Sequence, residues 1–499
     1  MASHPILLGY DLGSSSVKVS LMDAETGERV GSAHSPTTEM KISSPKPGWA
    51  EQDPGLWWNH AILATREALA GASITSDQIE AIGISYQMHG LIVVNAQQTV
   101  LRPAIIWCDS RAIQIGDNAF SKLGSDYCLS HLLNSPGNFT ASKLKWIKEN
   151  EPEVYRKIHK IMLPGDYLAM KLTGEIYTTA SGLSEGMFWD HQNGCISQEL
   201  LSYFEIDSSL IPEIVPTFGN QGNLSEKSAK LLGLKPGIKV CYRTGDQPNN
   251  AFSLNALEPG EVATTAGTSG VIYAVTDQPI SDTHSRVNTF MHVNHTPEAK
   301  RFGVLLCVNG TGIMNSWLKE NWSNGISLPY EQLNQIAEKI TIGSEGLRVL
   351  PFGNGAERML NNKNIGASIH RLNFNRHKVG QVSRAIQEGI VFSLGYGFEI
   401  IKELKITPSI IRAGKTNMFL SKTFCEAFAN VTNTELELYN ADGSMAAARG
   451  AGVGKGIYAK AEDAMPGLKC IERYIPIPYK QEKYLEAYSD WKSILEKEL

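Results

Sequence analysis

The chain has 499 residues, 42% of them hydrophobic and 19% charged, with a formal net charge of -5. That length calls for two or more globular domains, and the acidic balance offers no basic stripe for a nucleic-acid partner. No stretch approaches the ~20 apolar residues needed to span a bilayer, so no membrane span is expected.

Seven cysteines, at 108, 128, 195, 241, 307, 425 and 470, are scattered and lack a CxxC pair. This fits reduced thiols and supports neither a disulfide framework nor a zinc site. Met1 to Pro5 lacks a charged segment followed by an apolar core, so no signal peptide is expected and the predicted location is cytoplasmic.

Ile6 to Leu12 is β-rich, Gly13-Ser14-Ser15-Ser16 is a turn, and Val17 to Met22, with Lys18, is β-rich again. This pattern predicts a tight hairpin whose N–H groups and hydroxyls form an anion-binding nest. Pro54 to about Ala70 reads as a helix, Ile79 to Ser85 and Leu91 to Asn95 as strands, and Ser142 to Asn150 as a helix. Lys239 to Asp246 reads as a strand ending in a Gly-Asp turn. The turn Leu257-Glu258-Pro259-Gly260 marks the expected boundary between an N-terminal lobe, 1–256, and a C-terminal lobe, 257–499.

The hairpin pattern then returns. Val262 to Ala266, the turn Gly267-Thr268-Ser269 and Gly270 to Tyr273 repeat the opening architecture, but Asp11 has no counterpart. Either copy alone reads as an ordinary hairpin with common turn residues. Two copies favour a two-lobed phosphotransferase that holds a phosphate chain from both sides. Strands interleaved with helices place the fold in the α/β class. Met445 to Ile457 is rich in Ala and Gly, which suits close backbone packing or a hinge. Lys480 onward reads as a polar helical surface tail.

Several motifs are decoys. Gly414-Lys415-Thr416 imitates the end of a P-loop, but Ser409 stands at the leading glycine position and Ile410-Ile411 predicts a strand. Gly454-Lys455 fails likewise, with Arg449 leading and Gly456 at the metal-binding hydroxyl position. Gly182-Leu183-Ser184-Glu185-Gly186 spells a hydrolase elbow, but Tyr177 to Ser181 is a poor buried strand. His292 and His295 lack a completing carboxylate or cysteine and are expected at the surface.

Stronger candidates remain. Gly245-Asp246-Gln247 places a carboxylate at a strand's C-terminal end, where it can orient a hydroxyl and accept its proton; the same residue could instead cap the next helix. Tyr86-Gln87-Met88-His89-Gly90 sets hydrogen-bonding groups beside an apolar Met, as suits a small polyol, although a lone His after a strand is more often a packed structural residue. In Trp107-Cys108-Asp109-Ser110-Arg111 the Asp and Arg can pair with each other.

Asp11-Leu12-Gly13-Ser14-Ser15, Gln87 to Gly90, Trp107 to Arg111, Gly245 to Gln247 and Gly267 to Ser269, in this order, resemble the FGGY carbohydrate kinases over nearly the whole chain. Gln87-Met88-His89-Gly90 is most similar to the branch that acts on xylulose; the Arg-Glu of the glycerol branch is missing. The resemblance implies two ribonuclease-H-like lobes of the actin/hexokinase/Hsp70 type with substrates between them. It implies ATP and Mg2+ as cofactors, with Asp246 as catalytic base and Asp11 as catalytic and metal-side carboxylate. Gln87, Met88, His89, Trp107, Asp246 and Gln247 would be on the sugar side. Gly13, Ser14, Ser15, Lys18, Gly267, Thr268, Ser269, Gly414 and Asn417 would be on the nucleotide side.

The implied reaction is phosphorylation of a ketopentose, D-xylulose to D-xylulose 5-phosphate. The alternatives are another sugar or polyol (ribulose, a ketohexose, a deoxy-ketose) or a non-catalytic actin-like sensor. Expected partners are a sugar and ATP, and a homodimer is compatible with the reading. Departures from the family fall at Ala413, in the usually Gly-rich turn near the adenosine, and at Tyr86, Cys108, Asn138 and Ser142.

Overall fold

A computed structural model describes residues 4–321 and 328–499. The chain forms two compact units. The first comprises Met1–Leu257, Phe290–Phe302 and Asp442–Leu468; the second comprises Glu258–Thr289, Gly303–Ala441 and Lys469–Leu499. The units are therefore not the contiguous halves 1–256 and 257–499, because two later segments fold back into the first unit.

The first unit is built on β1 (Ile6–Leu12), β2 (Val17–Asp23), β3 (Arg29–Ser35), β4 (Ile79–Tyr86) and β5 (Lys239–Gly245), in the order β5-β4-β1-β2-β3. β1, β2 and β3 are successive antiparallel neighbours, whereas β1, β4 and β5 run parallel. The period of two in β1 explains its double burial. Ile6, Leu8, Tyr10 and Leu12 join one core with Trp57 of the helix Pro54–Ala70. Leu7 joins a second core with Ala446, Ala447 and Ala451 of the helix Gly443–Lys455.

That second helix lies unusually close to the sheet. A Cβ on Gly9 would meet the Ser444 carbonyl oxygen at 1.9 Å, and one on Gly83 would meet the Ala447 carbonyl oxygen at 1.9 Å. The small residues of the helix and these two glycines thus serve one backbone-to-backbone contact. Asp11, on the same β1 face as Leu7 and Gly9, emerges where this helix begins.

The second unit repeats the plan with β6 (Glu261–Ala266), β7 (Gly270–Thr276), β8 (Phe302–Val308), β9 (Ile410–Gly414), β10 (Leu436–Tyr439) and β11 (Cys470–Tyr474). Their order is β8-β7-β6-β9-β10-β11. β6 pairs antiparallel with β7 and parallel with β9, as β1 does with β2 and β4. Both units therefore carry the same α/β sheet topology around separate cores.

The C-terminal segment corrects the surface-tail expectation. Helix Pro478–Glu498 buries Tyr484, Ala487, Tyr488, Trp491, Ile494 and Leu495. These positions recur at three- and four-residue spacing, so one stripe faces the core while the charged face dominates the composition. Trp491 Nε1 donates to the Val349 carbonyl at 2.8 Å. No helix among the described residues is long and apolar enough to cross a membrane.

Candidate functional site

In the first unit, the β1–β2 hairpin closes with Gly13 N–H donating to Ser16 O at 3.0 Å. Asp11 and Lys18 are directly opposite across the two strands. Asp11 Oδ1 accepts from Ser85 Oγ at 3.1 Å, while a Cβ on Gly443 would lie 2.8 Å from Oδ2. Burial pushes the Asp11 carboxyl above the usual range and Asp442 adds to this, against Lys18 and Ser85. A hard cation that takes one or two carboxylates and keeps its waters fits this donor set.

β5 delivers Asp246, the first residue of the helix Asp246–Ser253. Asp246 is pushed up to about 8 by burial first, then by the charges of Asp11 and Glu185. Hydrogen bonds from the Gln247 backbone and side chain oppose that shift, so Gln247 meets the carboxylate it follows. Met88 packs against the same strand end: a Cβ on Gly245 would meet Met88 Cγ at 2.5 Å and Glu185 Oε1 at 3.4 Å.

His89 adopts φ 61°, a left-handed conformation that few non-glycine residues adopt, His, Asn and Asp more often than others. Glu185 holds it there: His89 N–H donates to Glu185 Oε2 at 2.9 Å, and Nδ1 lies 3.0 Å from the Glu185 carbonyl oxygen. The ring sits edge-on to Phe139 at 4.8 Å and beside Phe290 at 5.3 Å. Lys143 lies beneath, its ammonium donating to the carbonyls of His89 at 2.8 Å and Ile106 at 3.0 Å. Burial pushes this lysine down to about 7.

Gln87 is buried below the surface of the site. Its amide donates to Gln52 Oε1 at 3.3 Å, and Gln52 in turn donates to the Ser14 carbonyl at 2.7 Å. The polar motif and the glycine-serine turn are thus joined through one glutamine. Trp107 is 53% exposed, on a turn locked by a buried ion pair. Arg111 Nη2 reaches Asp109 Oδ2 at 2.7 Å and its guanidinium stacks 3.8 Å over Trp49. Arg111 Nη2 also reaches Glu51 Oε1 at 2.8 Å and Asp109 Oδ2 accepts from Ala50 N–H at 2.6 Å, so both residues are spent on holding this turn.

In the second unit, Gly267 and Thr268 present their carbonyls to Gly312 N–H at 2.8 Å and Ile313 N–H at 3.2 Å, leaving the Thr268 and Ser269 side chains exposed. Beside them is a cavity of about 780 Å³ whose wall includes Gly267, Thr268, Asn334, Gln335, Asn417 and Ser421. Ser269 and Gly414 are not part of that wall, and Lys415 pairs with Glu472. Asn417 holds φ 52° at the start of a short 3-10 turn. Ala413 is fully buried in β9, so its methyl is accommodated by core packing.

Several residues escaped the sequence reading. Glu185 was read only as part of a false elbow motif. Tyr177–Thr179 is in fact a strand, but Ser184 lies late in the following helix rather than at a strand-to-helix elbow. Asn334 and Gln335 sit on a helix that carries no motif, where only one-sided polarity could have pointed to a cavity. His292 and His295 are corrected too. They are buried and half-buried, not surface residues, because Phe302 and the segment preceding it pack into the first unit. No group of three metal-ligating residues exists among the described residues.

The pattern of the FGGY family of carbohydrate kinases, N-terminal domain, matches residues 6–253. A xylulose kinase of Lactococcus lactis is 31% identical over 413 residues, covering 80% of this chain and 77% of the relative. The crystal structure of xylulose kinase from Rhodospirillum rubrum superposes with a TM-score of 0.88 at 25% identity, covering 99% of this chain and 98% of that one. A gluconate kinase from Lactobacillus acidophilus shares the fold equally well, with a TM-score of 0.88 at 23% identity over 99% and 98% of the two chains. With this actin/hexokinase-like fold and these relatives, the chain belongs to the FGGY family of carbohydrate kinases and is a carbohydrate kinase.

Proposed function

We propose that the enzyme transfers the γ-phosphoryl group of ATP to O5 of D-xylulose. The observation that carries the reading is the cluster of Asp246, Met88 and His89 at the ends of parallel strands, with Asp246 pushed up to about 8. Once ionised, a carboxylate with that affinity for a proton is a stronger base than an ordinary aspartate, and a cation that neutralises Asp11 would favour the ionised form. Asp246 accepts the O5 proton while Gln247 fixes its orientation. Met88 supplies an apolar wall to the sugar, and His89, held by Glu185, hydrogen-bonds a hydroxyl. Gln87 supports the turn through Gln52, and Trp107 borders the sugar from its exposed turn.

On the nucleotide side, Gly13, Ser14, Ser15 and Lys18 of the first unit form a turn suited to phosphate oxygens. Within the second unit, Gly267, Thr268 and Ser269 form another such turn beside the cavity lined by Asn417, which takes the nucleoside. Gly414 acts there only by ending β9. Asp11 would hold Mg2+, which neutralises phosphate charge when bound. The enzyme is placed in the cytoplasm, where ATP and sugars are supplied, and acts in xylose metabolism.

The xylulose kinase relatives favour this sugar, whereas the fold shared with a gluconate kinase leaves another sugar as the second reading. Initial rates of sugar-dependent ADP release over D-xylulose, D-ribulose, a ketohexose, gluconate and glycerol test the choice. The highest kcat/KM is expected for D-xylulose; a higher value for any other member refutes it.

A further inference from the structure

Lysine stands at position 143 against local preference. It lies close to the N-terminal end of the helix Thr140–Asn150, where the macrodipole disfavours a cation, and it is fully buried. Burial pushes its ammonium down to about 7, although the charge of Asp109 opposes that shift. An apolar side chain of similar length would avoid both costs. What only an amine supplies there is a set of N–H donors at the end of a long stem.

Those donors go to two separate loops. Nζ donates to the His89 carbonyl at 2.8 Å and to the Ile106 carbonyl at 3.0 Å. Glu185 already holds the His89 N–H at 2.9 Å, so this left-handed residue is gripped at both its backbone donor and its backbone acceptor. Such a backbone persists only where its surroundings over-determine it. Ile106 directly precedes Trp107. Its carbonyl also accepts from Asp109 N–H at 3.2 Å, so the lysine grips the Trp107 turn at its root.

The same end of the helix makes weaker ties to the same loops. Thr140 Oγ1 donates to the Gly90 carbonyl at 3.4 Å, and Ala141 N–H donates to the Gly186 carbonyl at 3.0 Å. Phe139 meets the His89 ring edge-on at 4.8 Å. Lys143 alone among these joins the His89 segment to the Trp107 segment.

We propose that Lys143 is a positioning residue for sugar recognition, its nitrogen fixing the His89 backbone against the Trp107 turn so that both segments meet one sugar. It touches no substrate itself and acts through His89, so this role rests on the reading of His89 as a sugar ligand.

The test uses the full chain and the sugar of highest kcat/KM, expected to be D-xylulose. Lys143→Met keeps the length of the side chain and removes its donors. KM for the sugar should rise about tenfold or more while KM for ATP stays within about twofold. Calorimetric titration with the sugar in the absence of nucleotide should weaken by a similar factor. Lys143→Gln, whose amide still donates, should show a smaller rise, and it carries the test if Lys143→Met fails to fold. An unchanged KM for the sugar in a folded variant overturns the proposal, as do equal increases for sugar and ATP with a lowered melting temperature. His89→Ala separates the two claims. If it leaves sugar affinity intact, the reading of His89 falls and the role of Lys143 with it. If it weakens the sugar while the Lys143 variants do not, that reading stands and the role of Lys143 alone is refuted.

Discussion

Replacing Asp246 with Asn should make the enzyme nearly inactive and more stable. The Asp246 carboxyl moves from 3.8 to about 8 on folding, because burial and the charges of Asp11 and Glu185 disfavour its ionised form. Below 3.8 both states are protonated and the shift contributes its full stability. Between 3.8 and about 8 the unfolded chain releases a proton that the folded chain keeps, so stability falls as pH rises, and above about 8 the loss is complete. At ~1.4 kcal/mol per pKa unit, the loss reaches a ceiling of about 4 kcal/mol at pH 7 and about 2 kcal/mol at pH 5. Asn is neutral at both pH values and escapes it. Coupling to Asp11 and Glu185 makes the realised gain smaller, on the order of half the ceiling. Denaturant titrations of both proteins at pH 5 and pH 7 should show Asp246→Asn more stable, with the gap widening with pH. Turnover should drop ~10²–10⁴-fold, the usual contribution of a general base. A stability gap independent of pH, or near-normal turnover in the folded variant, refutes the reasoning.

Asp11→Ala should cut turnover strongly while D-xylulose affinity measured without nucleotide changes little; lost sugar affinity with intact turnover would make Asp11 a sugar ligand. His89→Ala removes a hydrogen bond of about 1–3 kcal/mol and should lower kcat/KM for D-xylulose about 5- to 150-fold, leaving basal ATP hydrolysis nearly unchanged. Parallel losses of melting temperature and of both activities would return His89 to a packing role. Gly83→Ala drives a methyl toward the Ala447 carbonyl, 1.9 Å away, and should lower stability by about 3 kcal/mol; an unchanged melting temperature would contradict the helix-on-sheet contact.

Much of this architecture was legible locally. The helix Pro54–Ala70 has its cap in the sequence: Asp53 accepts from Gly55 N–H and proline stands at the first turn. The two hairpins were visible because turn glycines and hydroxyl residues interrupt β-branched runs. The Asp109–Arg111 pair was readable from its two-residue spacing. What local pattern could not carry was long-range assembly. Residues 290–302 and 442–468 return to the first unit, and the reason for the Ala/Gly helix becomes visible only beside Gly9 and Gly83. Glu185 was missed because its partner His89 is 96 residues away. The buried stripe of Pro478–Glu498 was legible by periodicity, but its many charged residues outweighed it in the reading of composition.

The most direct measurement follows the phosphorus itself. With ATP, Mg2+ and D-xylulose, 31P NMR should show one sugar phosphate formed per ADP, the phosphate on C5 of the ketose. Phosphate on another carbon, or ADP accompanied only by inorganic phosphate, would contradict transfer to O5 by a base at Asp246.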